Sequence, residues 1–316
     1  MELEAQSKWH TYFGFDDNSG THLPMNWHQE EHAILLDEFQ GLPPTGDTHN
    51  HINWYQRECV QNEQLTDLDW RALGMYLTRA ADIGMVPMYD LMNFHNGNIN
   101  TRMQRDADDT GLVVVSSTDI SAGTPIYNSC SRGGWKSSDH VFNDYGYVED
   151  YPQLWRWTDD EWHNLPHEEW DNAYANNADF EPNVPAYEVL VVSPTLAAIS
   201  PSKQLVGMIG HGQRSLEEWQ REIDAHHANL RAPRARAIRA VAKVLEMLPT
   251  TIEQDEVLLA NMMEEKRAAG SADFDVGKEN LMKVIDYRLS FKKALKLTID
   301  VIDREWERFY VENVEL

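Results

Sequence analysis

The hydrophobic patterning of the chain predicts an α+β fold built in two units. Short β-branched and aromatic runs separated by turns fill residues 85–148, and helical periodicity dominates from residue 215 onward. At 316 residues the chain is long enough for two cores of ordinary domain size. We place the boundary near residue 155, with a β-rich unit over 1–155 and an α-helical unit over 156–316.

Taken in order, residues 28–40 read as a helix set between the turn formers Leu23-Pro24 and Gly41-Leu-Pro-Pro44, the latter followed by Thr45-Gly-Asp47. Asp67 is placed as an N-cap. Leu68, Leu73, Tyr76, Leu77 and Ala80 then recur at helical spacing until Gly84. That puts Arg79 in the last turn. Leu112-Val-Val-Val-Ser116 is β-branched and reads as a strand, and Ser121-Ala-Gly-Thr-Pro125 reads as a turn into Ile126-Tyr127. A loose stretch rich in Trp, Asp, Asn and Pro spans residues 151–184, before a strand at Tyr187-Glu-Val-Leu-Val-Val192. Residues 215–248 read as a helix pair broken near Pro233, which lacks the amide donor and clashes with the preceding turn. Thr250 or Thr251 caps the next helix, with Val257, Leu258 and Met262 as its apolar positions. The last helix carries Leu281, Ile285, Leu289, Leu295, Ile299, Ile302, Trp306 and Phe309 as one stripe.

Composition narrows the function classes. A hydrophobic content of 42% with 10% aromatics excludes wholesale disorder. Lys and Arg number 27 against 52 Asp and Glu, so the formal charge is -25. Such a field disfavours phosphate backbones and draws in basic proteins, so nucleic acid is not an expected partner. Cys59 and Cys130 are the two cysteines, which implies neither a disulfide framework nor a cysteine zinc site and suits a reducing interior. No apolar run reaches the roughly 18 residues that span a bilayer, and Met1-Glu-Leu-Glu-Ala5 has neither a basic nor an apolar signal region. The expectation is a soluble intracellular protein without a membrane partner and with no targeting segment in this chain.

Two segments carry the chemistry: Val86-Pro-Met-Tyr-Asp-Leu-Met-Asn93 and Val141-Phe-Asn-Asp-Tyr-Gly-Tyr-Val148. Between them lies Asp119-Ile-Ser-Ala-Gly123. Farther on come Leu248-Pro-Thr-Thr-Ile-Glu-Gln-Asp-Glu-Val-Leu-Leu259 and Tyr287-Arg-Leu-Ser-Phe-Lys292. Near the start are Trp9-His-Thr-Tyr12, Leu23-Pro24, Trp27, Glu31 and Gln40-Gly-Leu-Pro43. In this order they resemble the SET-domain proteins of the Rubisco large-subunit methyltransferase-like branch, which includes protein lysine methyltransferases and an actin-histidine methyltransferase.

The resemblance covers nearly the whole chain. It implies a partial β-rich SET domain, with a helical insert over 1–84 and its C-terminal part over 85–155, followed by a helical substrate-binding-like domain. It further implies S-adenosylmethionine as cofactor and a protein substrate carrying lysine, with histidine as the lesser possibility. Residue by residue, Asp90 and Asn93 match the family's Asp-x-x-Asn step, where the Asn holds the cofactor and the Asp supports the turn. Arg79 matches an arginine that meets the cofactor carboxylate. Tyr145 matches the tyrosine of Tyr-Gly-Phe-Val and would orient the nucleophile, while Tyr127 and Cys130 fall in the substrate pocket. Each has a plainer reading: a turn for Asp90 and Asn93, a helix-end cation for Arg79, a core aromatic for Tyr145. The chemistry is in-line attack of a nitrogen on the methyl carbon of a sulfonium. A lysine with pKa near 10.4 is neutral to only about one part in two thousand at pH 7, a handicap of roughly 4.6 kcal/mol that desolvation and the sulfonium would offset.

The chain also departs from the pattern. The family opens on a Gly-x-Gly segment that approaches the cofactor, and this sequence starts in the insert, as a truncated or altered member would. The family's Asn-His is Asn93-Phe94 here, with His95 one place later, and Cys130-Ser131 stands where Tyr-Gly is expected. A catalytically inactive SET-like protein that binds a basic protein partner is therefore the competing expectation. Metal-dependent hydrolysis through Asp47-Thr-His-Asn-His51 would need both imidazoles on one side of a strand. The Gly207-Met-Ile-Gly-His-Gly212 cluster lacks the Lys-Ser/Thr ending of a phosphate loop, and His226-His227 reads as a surface pair on a helix.

Overall fold

The computed structural model describes residues 23–24, 27, 48–61, 64–81, 84–85, 92–106, 111–128, 137–158, 186–200, 215–229, 241–242, 244–270 and 274–314. The helix expected over 28–40, the break at Pro233 and the Gly207 cluster lie outside these residues.

Helices α1 (Thr48–Glu58) and α2 (Asp67–Arg79) form a small satellite core, in which Leu23 and Leu73 are buried against Ile52, Tyr55 and Trp70. His49 and His51 fall within α1, a helix rather than the strand on which the metal reading depends. The cap of α2 is Thr66 rather than Asp67. The Asp69 amide donates to Thr66 Oγ1 (3.3 Å), and the Thr66 amide donates to Asp69 Oδ2 (2.8 Å), a reciprocal cap one position upstream of that expected. Gly84 does not stop the helix. α2 ends at Arg79 and runs into the hairpin β1 (Ala80–Ala81) and β2 (Gly84–Met85).

Next come β3 (Asn93–Phe94), a 3-10 turn over Asn96–Asn98, and the hairpin of β4 (Thr101–Arg105) with β5 (Leu112–Ser116), followed by β6 (Tyr127–Asn128) and helix α3 (Ser138–Tyr145). β5 has the predicted boundaries. Helix α3 is an element that the β-rich reading of residues 85–148 did not include.

The main sheet is antiparallel, in the order β7 (Gln153–Thr158), β8 (Ala186–Ser193), β9 (Leu196–Ser200). Because strand side chains alternate, it buries both faces. One presents Trp155, Val189, Val191, Ala197 and Ile199 to Phe142 and to Val284, Tyr287, Phe291, Ala294 and Leu295 of the last helix. The other presents Leu154, Leu190, Val192 and Ala198 to Ile99 and to Trp219 and Ile223 of α4 (Leu216–Asn229). Aromatic contacts knit the first face, with ring centroids 5.3 Å apart for Trp155 and Tyr287, 5.2 Å for Trp155 and Phe291, and 4.4 Å for Phe142 and Tyr287. The stretch expected to be loose thus begins with a core strand, and the sheet joins segments on both sides of residue 155.

Helix α5 (Ile252–Ala269) is capped by Thr251, whose side chain accepts from the Gln254 amide while Gln254 bonds back to the Thr251 amide. Val257 and Leu258 are exposed and Met262 is buried, so the inner face of α5 carries less apolar surface than expected. What it carries instead is Asp255, fully buried. Arg288 of α6 (Val276–Val314) donates to both Asp255 oxygens, with Nε at 2.9 Å from Oδ2. Lys292 Nζ donates to the same Oδ2 (2.8 Å) and to Thr250 Oγ1 (2.7 Å), which in turn donates to Asp255 Oδ1 (2.7 Å). Burial holds both the Arg288 and the Lys292 pKa below their ordinary values; for Lys292, Asp255 opposes the shift. The Leu-Pro-Thr-Thr and Tyr-Arg-Leu-Ser-Phe-Lys phrases are therefore two halves of one buried ion network.

Removing the shared acceptor strands two buried cations. Asp255→Ala is expected to cost about 3–5 kcal/mol in urea unfolding. Glu256→Ala, which breaks the exposed pair with Lys293, should cost no more than about 1 kcal/mol.

Candidate functional site

The site forms where β3 and β6 pair in parallel, with Asn93 opposite Tyr127 and Phe94 opposite Asn128. Two residues a side are too few to hold a parallel ladder, and Asn100 supplies the missing bonds. Its amide donates to the Tyr127 carbonyl (3.2 Å), its Oδ1 accepts from the Tyr127 amide (2.8 Å), and its Nδ2 donates to the Pro125 carbonyl (2.9 Å). Thr101 Oγ1 also donates to the Tyr127 carbonyl (2.8 Å), and the Ser117 amide donates to the Asn100 carbonyl (2.9 Å). Asn100 is only 2% exposed, so the side-chain amide works in a dry setting where each bond matters.

Tyr145 arrives from the other side. Ser137 opens α3, and Gly146 closes it in the left-handed conformation (φ 72°), its amide donating to the Phe142 carbonyl (2.8 Å). Val141 and Phe142 anchor the helix in the core, which leaves Tyr145 half-buried at its C-terminal end. Its ring stacks on Phe94, centroids 5.9 Å apart and 20° from parallel, and lies 6.3 Å from that of Tyr147. His95 meets Tyr127 edge to face at 5.6 Å. The His95 Nδ1 accepts from the Gly97 amide (3.2 Å), which places a neutral ring's proton on Nε2, and burial pushes the His95 pKa down against the pull of Asp150.

Asn93 is therefore paired with Tyr127 across the ladder, while its neighbour Phe94, which projects to the opposite face of the strand, makes the contact with Tyr145. Arg79 is the final residue of α2, and its side chain lies outside the described residues, as do Asp90 and Cys130 entirely. Asn93 is exposed and Tyr127 half-buried, so the face they form is open to a ligand. Two shallow surface depressions elsewhere are lined by residues of α4 and α5 and include none of these residues.

Sequence reasoning missed Asn96, Asn100 and Glu149. The Asn96-Gly97 turn was a visible signal for the first; nothing local announces a buried acid. Glu149 is 3% exposed. Its Oε1 accepts from the Asn96 amide (3.0 Å) and its Oε2 from Asn96 Nδ2 (2.6 Å). Desolvation raises its pKa to about 8, with the two Asn96 bonds opposing. Its carbonyl accepts from Gln153 Nε2 (2.7 Å), and Gln153 Oε1 accepts from Trp155 Nε1 (3.1 Å).

A nucleophilic triad fails on geometry. Ser137 Oγ lies 2.7 Å from His140 Nδ1, and Asp139 Oδ2 lies 3.2 Å from the same nitrogen, whereas a nucleophilic triad needs the two partners on opposite ring nitrogens. Among the described residues no group of three or more His, Cys, Asp or Glu side chains is placed to hold a metal, and no helix is long and apolar enough to cross a membrane.

No family model and no curated protein matches the chain. Among solved structures it is similar to the SET domain of LSMT bound to lysine and AdoHcy, at 20% identity over 95% of this chain and 71% of that one, with a TM-score of 0.46. It is also similar to Rubisco LSMT bound to AdoMet, at 19% identity over 94% of this chain and 70% of that one, again with a TM-score of 0.46.

Asn100→Ala is expected to destabilise the protein by about 1–3 kcal/mol by leaving buried partners unmet, and to speed hydrogen exchange of the Tyr127 amide more than that of β8 amides. Glu149 supplies a second test. Its folded pKa is raised, so the folded protein binds the extra proton; the contribution is full below the ordinary value of 4.5 and is lost as pH rises through about 8. Denaturation midpoints of the wild type should therefore fall across that window by an amount that Glu149→Gln removes.

Proposed function

We propose that this chain is an S-adenosylmethionine-dependent protein N-methyltransferase of SET type acting on lysine, with histidine as the lesser alternative substrate. The observation that supports the reading is that Asn93 pairs with Tyr127 and that its neighbour Phe94 stacks on Tyr145, because Asn93, Tyr127 and Tyr145 are three of the positions that the family-like motifs single out. In the same reading residues 1–155 are the SET-like part and residues 156–316 the substrate-binding-like part, sharing the core at β7 and β8. Arg79 and Asp90 would complete the cofactor site and Cys130 the substrate pocket.

The donor set fits the cofactor. Asn93 offers an exposed amide, both donor and acceptor, paired with Tyr127 and one residue before the Phe94–Tyr145 stack, and aromatic rings attract a cation such as a sulfonium. Bound there, S-adenosylmethionine supplies an electrophilic methyl group. The chain's own part is positioning. The Tyr145 hydroxyl accepts from the incoming amine and aims its lone pair, while the half-buried rings exclude the water that would keep a lysine protonated. The -25 charge attracts a basic protein substrate over distance.

The binding-only alternative draws on one observation: Phe94 stands in the histidine place of the family pattern and stacks on Tyr145, so a polar group is exchanged for an apolar one. Calorimetric titration separates the two. Wild type should bind S-adenosylmethionine with a Kd below millimolar, and Asn93→Ala should weaken that by about tenfold, the worth of one or two hydrogen bonds. Tyr145→Phe should lower methyl transfer to lysine-containing protein by about a hundredfold with little change in cofactor affinity. No binding at millimolar cofactor overturns the enzyme reading.

A further inference from the structure

We propose that Glu149 is a positioning residue of this site, the strut that sets the cofactor-side segment Asn93–Asn96 against the Tyr145 end of α3. For what the site does, this rests on the methyltransferase reading; for how the site is held, it rests on geometry alone.

Three observations support it. First, the two Glu149 oxygens accept from both nitrogens of Asn96, one in the backbone and one in the side chain, so the carboxyl fixes the position and the orientation of the residue that follows Asn93-Phe94-His95. Second, Glu149 closes the short segment that starts at Gly146, the C-cap of α3, and is itself tied inward through Gln153 to Trp155 in the central core. The strut therefore has one end in the core and the other at the site. Third, the contact leaves no slack. A Cβ on Gly97 would lie 2.1 Å from Pro152 Cδ, so the turn after Asn96 sits directly on the segment after Glu149. The Phe94–Tyr145 stack depends on this seating, because both rings project from the two segments that Glu149 joins.

A buried acid is costly unless it is used, and a neutral carboxyl with one good acceptor oxygen holds two donors less firmly than the anion does. Ionisation should therefore tighten the strut while lowering global stability. Among the described residues, Asp150, next in sequence to Glu149, is coupled to His95 on the site loop and to Asp286 on α6, and Asp286 is coupled to Lys293 on the same helix. Asp150 raises the His95 and Asp286 pKa values, and Lys293 lowers that of Asp286.

The test uses the full chain as wild type, Glu149→Gln and Glu149→Ala. Glutamine keeps an acceptor for the Asn96 amide and, after an exchange of amide O and N at Asn96, a donor for the second bond. The first readout needs no ligand: amide proton and nitrogen shifts of Phe94, Asn96 and Gly146 followed from pH 5 to pH 10. They should share one titration with a midpoint near 8, absent from all three in Glu149→Gln. If only Asn96 responds, or if the shared titration survives in Glu149→Gln, the strut is refuted. The second readout is methyl transfer. Glu149→Ala should lose at least tenfold in kcat with a smaller rise in KM, and Glu149→Gln should recover most of that loss at the same pH. Equal losses in the two variants, with both folded, count against positioning. Should the wild type neither bind nor turn over S-adenosylmethionine, the methyltransferase reading fails, and the amide titrations still decide the role of Glu149.

Discussion

Everything proposed for the site depends on a parallel pairing only two residues long. Parallel ladders are weaker per residue than antiparallel ones, and a pair this short cannot persist on its own bonds. Asn100 makes it possible by acting as a substitute strand edge, bonding the backbone of Tyr127 on both sides and the carbonyl of Pro125. With β6 held there, Asn93 faces Tyr127, Phe94 meets Tyr145 and His95 meets Tyr127. The site is thus assembled from segments far apart in sequence by buried amides and a carboxyl rather than by a large sheet. That arrangement leaves Asn93 exposed while its immediate neighbours are held from behind.

The remainder of the molecule supplies rigidity. The three-stranded sheet is buried on both faces, and α6 closes one of them with Tyr287 and Phe291 against Trp155. Trp155 is also the inner end of the hydrogen-bonded chain that runs through Gln153 and Glu149 to Asn96. Packing on α6 and geometry at the site therefore meet in one side chain. The helix in turn is fixed to α5 by Asp255, whose two buried oxygens serve Arg288, Lys292 and Thr250. Such a network sets a single register between the helices, since sliding either by a turn would strand buried charge.

Local pattern made some of this legible. The β-branched run of β5, the Thr251 cap and the burial of Ile285, Leu289 and Leu295 on α6 follow from propensity and period alone. β4 was invisible because Thr-Arg-Met-Gln-Arg has no apolar alternation; it pairs with β5 at the surface with most side chains out. β7 was hidden by its setting in a polar, tryptophan-rich stretch, and β9 by the tight turn that folds it straight back on β8. α3 is a single short amphipathic helix inside a β-rich context, so nothing local showed that the Tyr145-Gly146 pair is a helix end with its cap. In the site, the residue types that resemble known chemistry could be named in advance. The groups that hold them, Asn96, Asn100 and Glu149, could not, because burial and long-range partners are not encoded in neighbouring letters.

The central claim is that a cofactor-sized ligand binds against Asn93, Tyr127 and Tyr145. Backbone amide shift mapping with S-adenosylhomocysteine tests it most directly. The largest changes should fall on Phe94, Tyr127 and Gly146, with the amides of α5 and of the β4–β5 hairpin unmoved. No saturable change at those three positions, or changes centred on the α5–α6 pair, would contradict it.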